Sequence, residues 1–282
     1  MTPNFKLRYG TYSVLQFPSG ELQIKLNLDS NTDISSSRHI TIIGSILSSG
    51  NLIELLQLKE AIDYYYKNPR VTLIMPYCAY SHQDRRCNPG ESLSSKVFTN
   101  IINSCNFSTV TTYDNHSEVS TALIDNCLNV SVHDILFGAW SKQIPNIKLG
   151  QYNFLVSPDA GANKKVFECS SKFNIPMIRA DKHRDTKTGN ITSTEVYATA
   201  EQLNNKTVLI VDDICASGRT FEELAKAIKL TQPSCTIHLY ITHGFFHKGL
   251  HKLSLHIDKF ITTDSVCQIE DKDLTIVKLQ RK

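Results

Sequence analysis

The segment from Thr207 to Thr220 constrains the fold of this chain more than any other. Thr-Val-Leu-Ile-Val (207–211) is an unbroken run of β-branched and aliphatic residues, the pattern of a strand buried on both faces of a parallel sheet. It ends in two adjacent carboxylates, Asp212 and Asp213. The loop Ala216-Ser217-Gly218-Arg219-Thr220 follows, and Phe221 to Leu230 then has helical spacing. A strand handing over to a helix in this way is half of a βαβ unit, and open α/β sheets bind ligands at the carboxyl ends of their strands. Thr220 and Glu223 have capping-box spacing, which predicts Thr220 as the N-cap. Unpaired amides at a helix start suit a phosphate, and carboxylates suit hydroxyls. The block therefore reads as a cradle for a sugar phosphate, with Asp212 and Asp213 on the sugar and residues 216–220 on the phosphate. Its plain alternative is helix-dipole electrostatics, acids before a helix. No Gly-x-x-x-x-Gly-Lys-Ser/Thr loop occurs, so a P-loop enzyme is excluded.

The same alternation extends over the chain. Strands are predicted at 40–43, 71–75, 109–113, 152–156, 175–178, 207–211 and 236–241, and helices at 52–66, 92–104, 164–173 and 221–230. This is an α/β protein of two doubly wound domains with mostly parallel sheets, residues 1–148 and 149–282, joined near Pro145 to Gly150. Thr109–Asp114 and Thr207–Asp213 share a layout, a strand ending in an acid, which hints at a duplication. Asp181 to Thr194 is polar and long for a connection, as active-site lids and disordered loops are.

A length of 282 residues with 41% hydrophobic and 20% charged side chains suits two ordinary domains. The net charge of +3 gives no broad basic surface, so neither nucleic acid nor membrane is an expected partner. The eight cysteines form no Cys-x-x-Cys pair; reduced thiols are expected rather than a secreted disulfide framework or a zinc site. Met1 to Gly10 lacks the apolar core of a signal peptide. No apolar run reaches the roughly 18–20 residues of a spanning helix. A cytoplasmic location is the expectation.

The 208–220 block resembles the phosphoribosyl pyrophosphate motif of type I phosphoribosyltransferases and the ribose 5-phosphate loop of ribose-phosphate diphosphokinases. Six further blocks resemble the diphosphokinases alone and stand in that family's order. They are Phe17-Pro18-Ser19-Gly20-Glu21, Pro76 to Arg86, Tyr113-Asp114-Asn115-His116, Ser157 to Gly161, Asp181-Lys182-His183-Arg184 and Thr242-His243-Gly244-Phe245. The resemblance implies transfer of the diphosphoryl group of ATP to O1 of ribose 5-phosphate, giving phosphoribosyl pyrophosphate and AMP. It places ATP with the first domain and ribose 5-phosphate with the second, in a cleft between them. Phe17 would stack on adenine and Glu21 hydrogen-bond to it, from a neighbouring subunit of a homo-oligomer. His82, Gln83, Arg85 and His116 would face the ATP phosphates. His116 and Asp159 match the family's Mg²⁺-linked pair, and Lys182 and Arg184 its catalytic cations on a mobile loop. Ribose 5-phosphate would lie on Asp212, Asp213, Ala216, Ser217, Gly218, Arg219 and Thr220.

Some positions depart from the family pattern. His82 stands where the family has arginine, and a mostly neutral imidazole cannot fork onto a phosphate. Gly90-Glu91-Ser92-Leu93-Ser94 replaces Arg-x-Pro-Ile-Ser, Arg219 is closer to the phosphoribosyltransferases, and the usual C-terminal helix does not follow Val277. Two alternatives stay open: a catalytically silent regulatory homologue, and a phosphoribosyltransferase that consumes phosphoribosyl pyrophosphate.

Overall fold

A computed structural model describes residues 1–8, 10–28, 39–142, 149–184, 191–279 and 281. The chain divides into two compact units, Met1–Ser131 with Arg281–Lys282, and Val132–Gln280. Of the expected linker 145–150, residues 145–148 lie outside the described residues.

In the first unit, β1 (Lys6–Leu7) precedes a hairpin of β2 (Thr11–Gln16) and β3 (Leu22–Asn27). Then come β4 (His39–Ile43), α1 (Ser49–Tyr65), β5 (Arg70–Ile74), α2 (Ser94–Ser104), β6 (Thr109–Tyr113), α3 (Glu118–Leu123) and β7 (Cys127–Val130). The sheet runs β1-β4-β5-β6-β7, parallel except for β1. Ile40, Ile42, Val71, Leu73 and Val110 bury one sheet face against Leu55, Leu58 and Ile62 of α1 and Phe98 and Ile102 of α2.

The second unit contains α4 (Val132–Lys142), β8 (Phe154–Ser157), α5 (Asn163–Phe173), β9 (Met177–Arg184), β10 (Ile191–Val196) and α6 (Ala200–Leu203). It continues with β11 (Thr207–Cys215), α7 (Arg219–Thr231), β12 (Thr236–Gly244), β13 (Lys259–Thr263) and β14 (Leu274–Val277). Strand order is β10-β9-β8-β11-β12-β13-β14, and only β10 is antiparallel to its neighbour. Period-two alternation along β11 splits its side chains between the sheet faces. Val208 and Ile210 pack with Phe221, Leu224, Ala225 and Ile228 of α7. Leu209 and Val211 pack with Val166 and Cys169 of α5 and Val132 and Leu136 of α4. Helices on both faces of one sheet are the doubly wound arrangement read from the sequence. Each fully buried aliphatic side chain of this core contributes about 1.5–3 kcal/mol.

The structure differs from the sequence pattern in three places near the site. The strand expected at 207–211 extends to Cys215, because β12 extends with it and pairs Ile214 with His243 and Cys215 with Gly244. The polar stretch after Asp181 is not simply a loop: β9 runs on to Arg184 and pairs with β10 as a hairpin, a partnership that polarity alone cannot signal. Residues 185–190 of that stretch lie outside the described residues. The third is the N-cap of α7, which is Gly218 at φ +82° rather than Thr220, with no side-chain cap. An alanine Cβ there would come within 3.0 Å of Leu253, so position 218 needs both the left-handed backbone and the missing side chain.

The β2–β3 hairpin is tied to α1 by a buried carboxylate. Glu54 accepts from the Tyr12 hydroxyl at 2.6 Å and from the Asn4 amide at 2.8 Å. Burial first, then the Glu54 bond, push the Tyr12 phenol above its usual range, so it remains a donor. The substitution Tyr12→Phe is expected to lower stability by about 1–3 kcal/mol, the cost of stranding part of a buried acceptor. Urea unfolding measures it; an unchanged midpoint would show that this bond does not hold the hairpin.

Candidate functional site

In the second unit the strand order reverses between β8 and β11, since β8 sends its crossover to β9 on one side and β11 lies on the other. Such a switch point opens a crevice at the carboxyl ends of the strands. Asp159 follows β8 there, Asp212 and Asp213 end β11, and Lys182 lies on the neighbouring β9. Sequence positions up to 54 residues apart are thereby gathered at one end of one sheet.

The charges in this crevice are paired. Lys182 Nζ lies 2.6 Å from Asp159 Oδ2, with the Lys182 side chain only 7% exposed. Asp159 Oδ1 also accepts from the Ala162 amide at 3.1 Å. Burial pushes the Asp159 carboxyl up, but the Lys182 hydrogen bond and charge, with the Ala162 and Gly161 amides, outweigh it and hold the group below the usual aspartate value. Lys165 Nζ lies 3.0 Å from Asp213 Oδ2. Asp212 is held well above the ordinary 3.8 by burial and then by the Asp213 charge, with Asp159 adding to the effect; Lys165 opposes it. The sequence reading missed Lys165. Its only signal is a cation on the helix after Ser-Pro-Asp-Ala-Gly, and α5 has two other lysines, Lys164 and Lys172, that look the same.

The loop after β11 leads straight into the start of α7. Phe221 and Glu222 both donate backbone N–H groups to the Gly218 carbonyl at 3.0 Å. The helix starts so early that the amides of Arg219 and Thr220 precede the first intrahelical bonds. Ala216, Ser217 and Arg219 are exposed, Thr220 is half-buried, and Gly218 is buried. Arg184 ends β9 and its side chain lies outside the described residues.

In the first unit the parallel pairing of β5 with β6 brings two loops together. The loop after β5 carries His82, Gln83 and Arg85, all exposed, and the loop after β6 carries His116, also exposed. The His82 and His116 rings stack, with centroids 4.3 Å apart and planes inclined by 21°. The His116 loop is pinned on both sides. The Asp114 amide donates to the Val130 carbonyl at 2.8 Å, and the Asn115 amide to Asn129 Oδ1 at 3.2 Å. The His82 loop is closed by Gln83 N–H to the Tyr80 carbonyl at 3.0 Å. Where the sequence lacks an expected arginine, Glu91 folds the loop on itself, accepting from Cys87 N at 2.7 Å and from Asn88 N and Nδ2 at 3.1 and 2.6 Å.

Phe17 and Glu21 sit on another element, the turn between β2 and β3. Phe17 N–H donates to the Glu21 carbonyl at 2.8 Å, and Ser19 Oγ to Glu21 Oε2 at 2.8 Å. Both side chains face solvent, Phe17 being 41% exposed.

Among the described residues no group of three or more His, Cys, Asp or Glu is placed to hold a metal ion. A magnesium ion needs fewer protein ligands, because it binds through one or two carboxylates plus substrate phosphates and keeps its waters. Asp159, a carboxylate just after β8 whose oxygens take the Ala162 amide and Lys182, is of the type that requirement names; the His116 imidazole does not present oxygen. All eight cysteines are free, and no helix among the described residues is long and apolar enough to cross a membrane.

Because Asp212 is raised, its ionisation opposes folding as pH climbs through its folded-state value, and Lys165 counters this. In Lys165→Met the loss of stability is therefore expected to grow as pH rises above the ordinary aspartate value of 3.8. Thermal melts across that range read it, and a pH-independent loss would mean that Lys165 does not serve the acid pair.

Residues 2–105 match the model of the N-terminal domain of ribose phosphate pyrophosphokinase, and residues 141–270 that of the phosphoribosyl transferase domain. The ribose-phosphate pyrophosphokinase of Cereibacter sphaeroides is 31% identical over 225 residues, covering 78% of this chain and 64% of that protein. That of Thermoplasma volcanium is 29% identical over 255 residues, covering 89% and 82%. The crystal structure of phosphoribosylpyrophosphate synthetase from Mycobacterium smegmatis has a TM-score of 0.77 over 95% of this chain and 86% of that one; at 18% identity this carries the fold alone. With both domains matched in order and relatives of one name aligned over most of its length, the chain belongs to the ribose-phosphate pyrophosphokinase family.

Proposed function

We propose that this chain is a ribose-phosphate diphosphokinase, transferring the diphosphoryl group of ATP to O1 of ribose 5-phosphate with release of AMP. The observation that carries the reading is the switch-point crevice of the second unit, where the acid pair of half-buried Asp212 and buried Asp213 stands beside a helix-start loop. Neither a plain nucleotide site nor a protein-binding surface needs that combination.

Ribose hydroxyls donate to the carboxylates of Asp212 and Asp213, and the 5-phosphate accepts from the amides of residues 217–220. Lys165 holds Asp213 in place and keeps the acid pair ionisable. Phosphoryl transfer depends on positioning and on neutralising charge. Lys182 and Arg184 supply cations for the transferred group. Lys182 exchanges its Asp159 partner for phosphate oxygens when substrate enters, which frees an Asp159 oxygen at the same moment. Asp159 would hold Mg²⁺ together with the substrate phosphates, and the ion would supply charge neutralisation there. His116 acts on phosphate or through water, and His82, Gln83 and Arg85 bind the ATP phosphates beside it. Phe17 and Glu21, exposed on a hairpin turn, serve the adenine of a neighbouring copy, so the active form is a homo-oligomer. The working location is the cytoplasm, where ATP and sugar phosphates are found.

AMP release from ATP and Mg²⁺, with and without ribose 5-phosphate, tests the reaction, and phosphorus NMR identifies the sugar product. A 1-diphosphorylated sugar formed in step with AMP is expected. Substrate binding without turnover would mark a silent homologue, and a product requiring a nucleobase would mark a phosphoribosyltransferase. Lys182→Ala is expected to lower kcat by about 10²–10³ while ATP binding changes little, as for loss of one charge-stabilising donor. Undiminished kcat would remove Lys182 from the chemistry. Asp212→Asn with Asp213→Asn is expected to raise KM for ribose 5-phosphate above all; an unchanged KM would take the pair out of the sugar site.

A further inference from the structure

A buried polar cluster at the carboxyl ends of β12 and β13 takes no part in the chemistry above. Thr242, His243, Thr262 and Thr263 are at most 1% exposed and Ser265 is 7% exposed. His243 Nδ1 and Ser265 Oγ are 2.9 Å apart. The Thr242 carbonyl accepts from Thr263 Oγ1 at 2.6 Å and from Ser265 Oγ at 3.0 Å. The next residue, Gly244, donates its N–H to Thr262 Oγ1 at 3.1 Å. Burying so many hydroxyls and an imidazole is costly unless each is bonded, and a hydrophobic strand end would fill the same space. The cluster therefore fixes something.

What it fixes is the segment that follows. Phe245 and Phe246 donate their N–H groups to the Cys215 carbonyl at 3.0 and 3.1 Å, and His247 donates to the Ala216 carbonyl at 2.9 Å. These two carbonyls begin the loop that enters the sugar-phosphate cradle. The strap has almost no freedom. A Cβ on Gly244 would lie 2.2 Å from the Phe246 ring and 2.6 Å from Thr262 Oγ1. Phe246 is 2% exposed and held at φ +45°, a backbone region that a bulky residue adopts only when its surroundings impose it.

We propose that His243, Ser265 and Thr262 are positioning residues for the ribose 5-phosphate loop: they set the height of the strap 244–247, and the strap sets the peptides 215–216 from which the phosphate cradle rises. None of the three reaches substrate. The proposal rests on the reading of 216–220 as that cradle.

Two variants that keep core volume test it, Thr262→Val and Ser265→Ala, with Thr262→Ser as the rescue. Hydrogen exchange of the amides of residues 215–220, without substrate, reports on the strap alone and is expected to quicken about tenfold for Thr262→Val. KM for ribose 5-phosphate is expected to rise about five- to tenfold, while KM for ATP and kcat move less than about twofold. Thr262→Ser is expected to restore both. Unchanged exchange, or an equal fall in kcat with KM constant, would overturn the proposal, because a merely structural defect lowers the active fraction and leaves KM alone. Faster exchange in the variant, with no ribose 5-phosphate bound by the unaltered chain, would overturn the reading of the cradle and leave the strap's hold on 215–216 standing.

Discussion

The chemistry of the second unit depends on β11 being paired on both sides and covered on both faces. Val208, Leu209 and Ile210 register with Phe154, Leu155 and Val156 of β8, and with Ile237, His238 and Leu239 of β12. A strand so enclosed cannot slip by one residue without exchanging its two faces, so the level at which it delivers Asp212 and Asp213 is fixed. The acids then emerge at the strand end, beside the break in strand order between β8 and β11, where Asp159 and Lys182 also arrive.

That placement has an electrostatic cost which the surroundings offset. Burial first, and then the neighbouring carboxylates, resist ionisation, as the raised Asp212 shows. Lys165 and Lys182 each take one carboxylate at hydrogen-bond distance. Such pairs are weak sources of stability, since taking both charges out of water costs about as much as their attraction returns. Their use is geometric: they hold acids and cations in place at the ends of the strands.

The first unit presents its groups more openly. His82 and His116 stack at the surface rather than within a core, so the loss of an arginine at position 82 is met by ring contact instead of charge. A stacked imidazole orients its neighbour but adds no permanent positive charge, and Arg85 stands exposed on the same loop.

The unbroken apolar run 207–211, the acids behind it and the spacing of Phe221, Leu224, Ala225 and Ile228 made β11, α7 and the doubly wound class legible, because burial on both faces needs continuous hydrophobicity and a helix needs its own period. Order of motifs along the chain was equally a sequence property, and it pointed to the family. Other features were decided by tertiary structure. Whether polar residues 181–184 form a strand depends on a partner, β10, which pairs with them antiparallel. Gly218 caps α7 in place of Thr220 with a left-handed backbone at φ +82°, and Leu253, 35 residues later, lies 3.0 Å from where its Cβ would be. Lys165 becomes the partner of Asp213 only once α5 lies against the sheet. In each case the deciding contact is with a residue distant in the chain, and local pattern carries information only about neighbours within a turn or a strand.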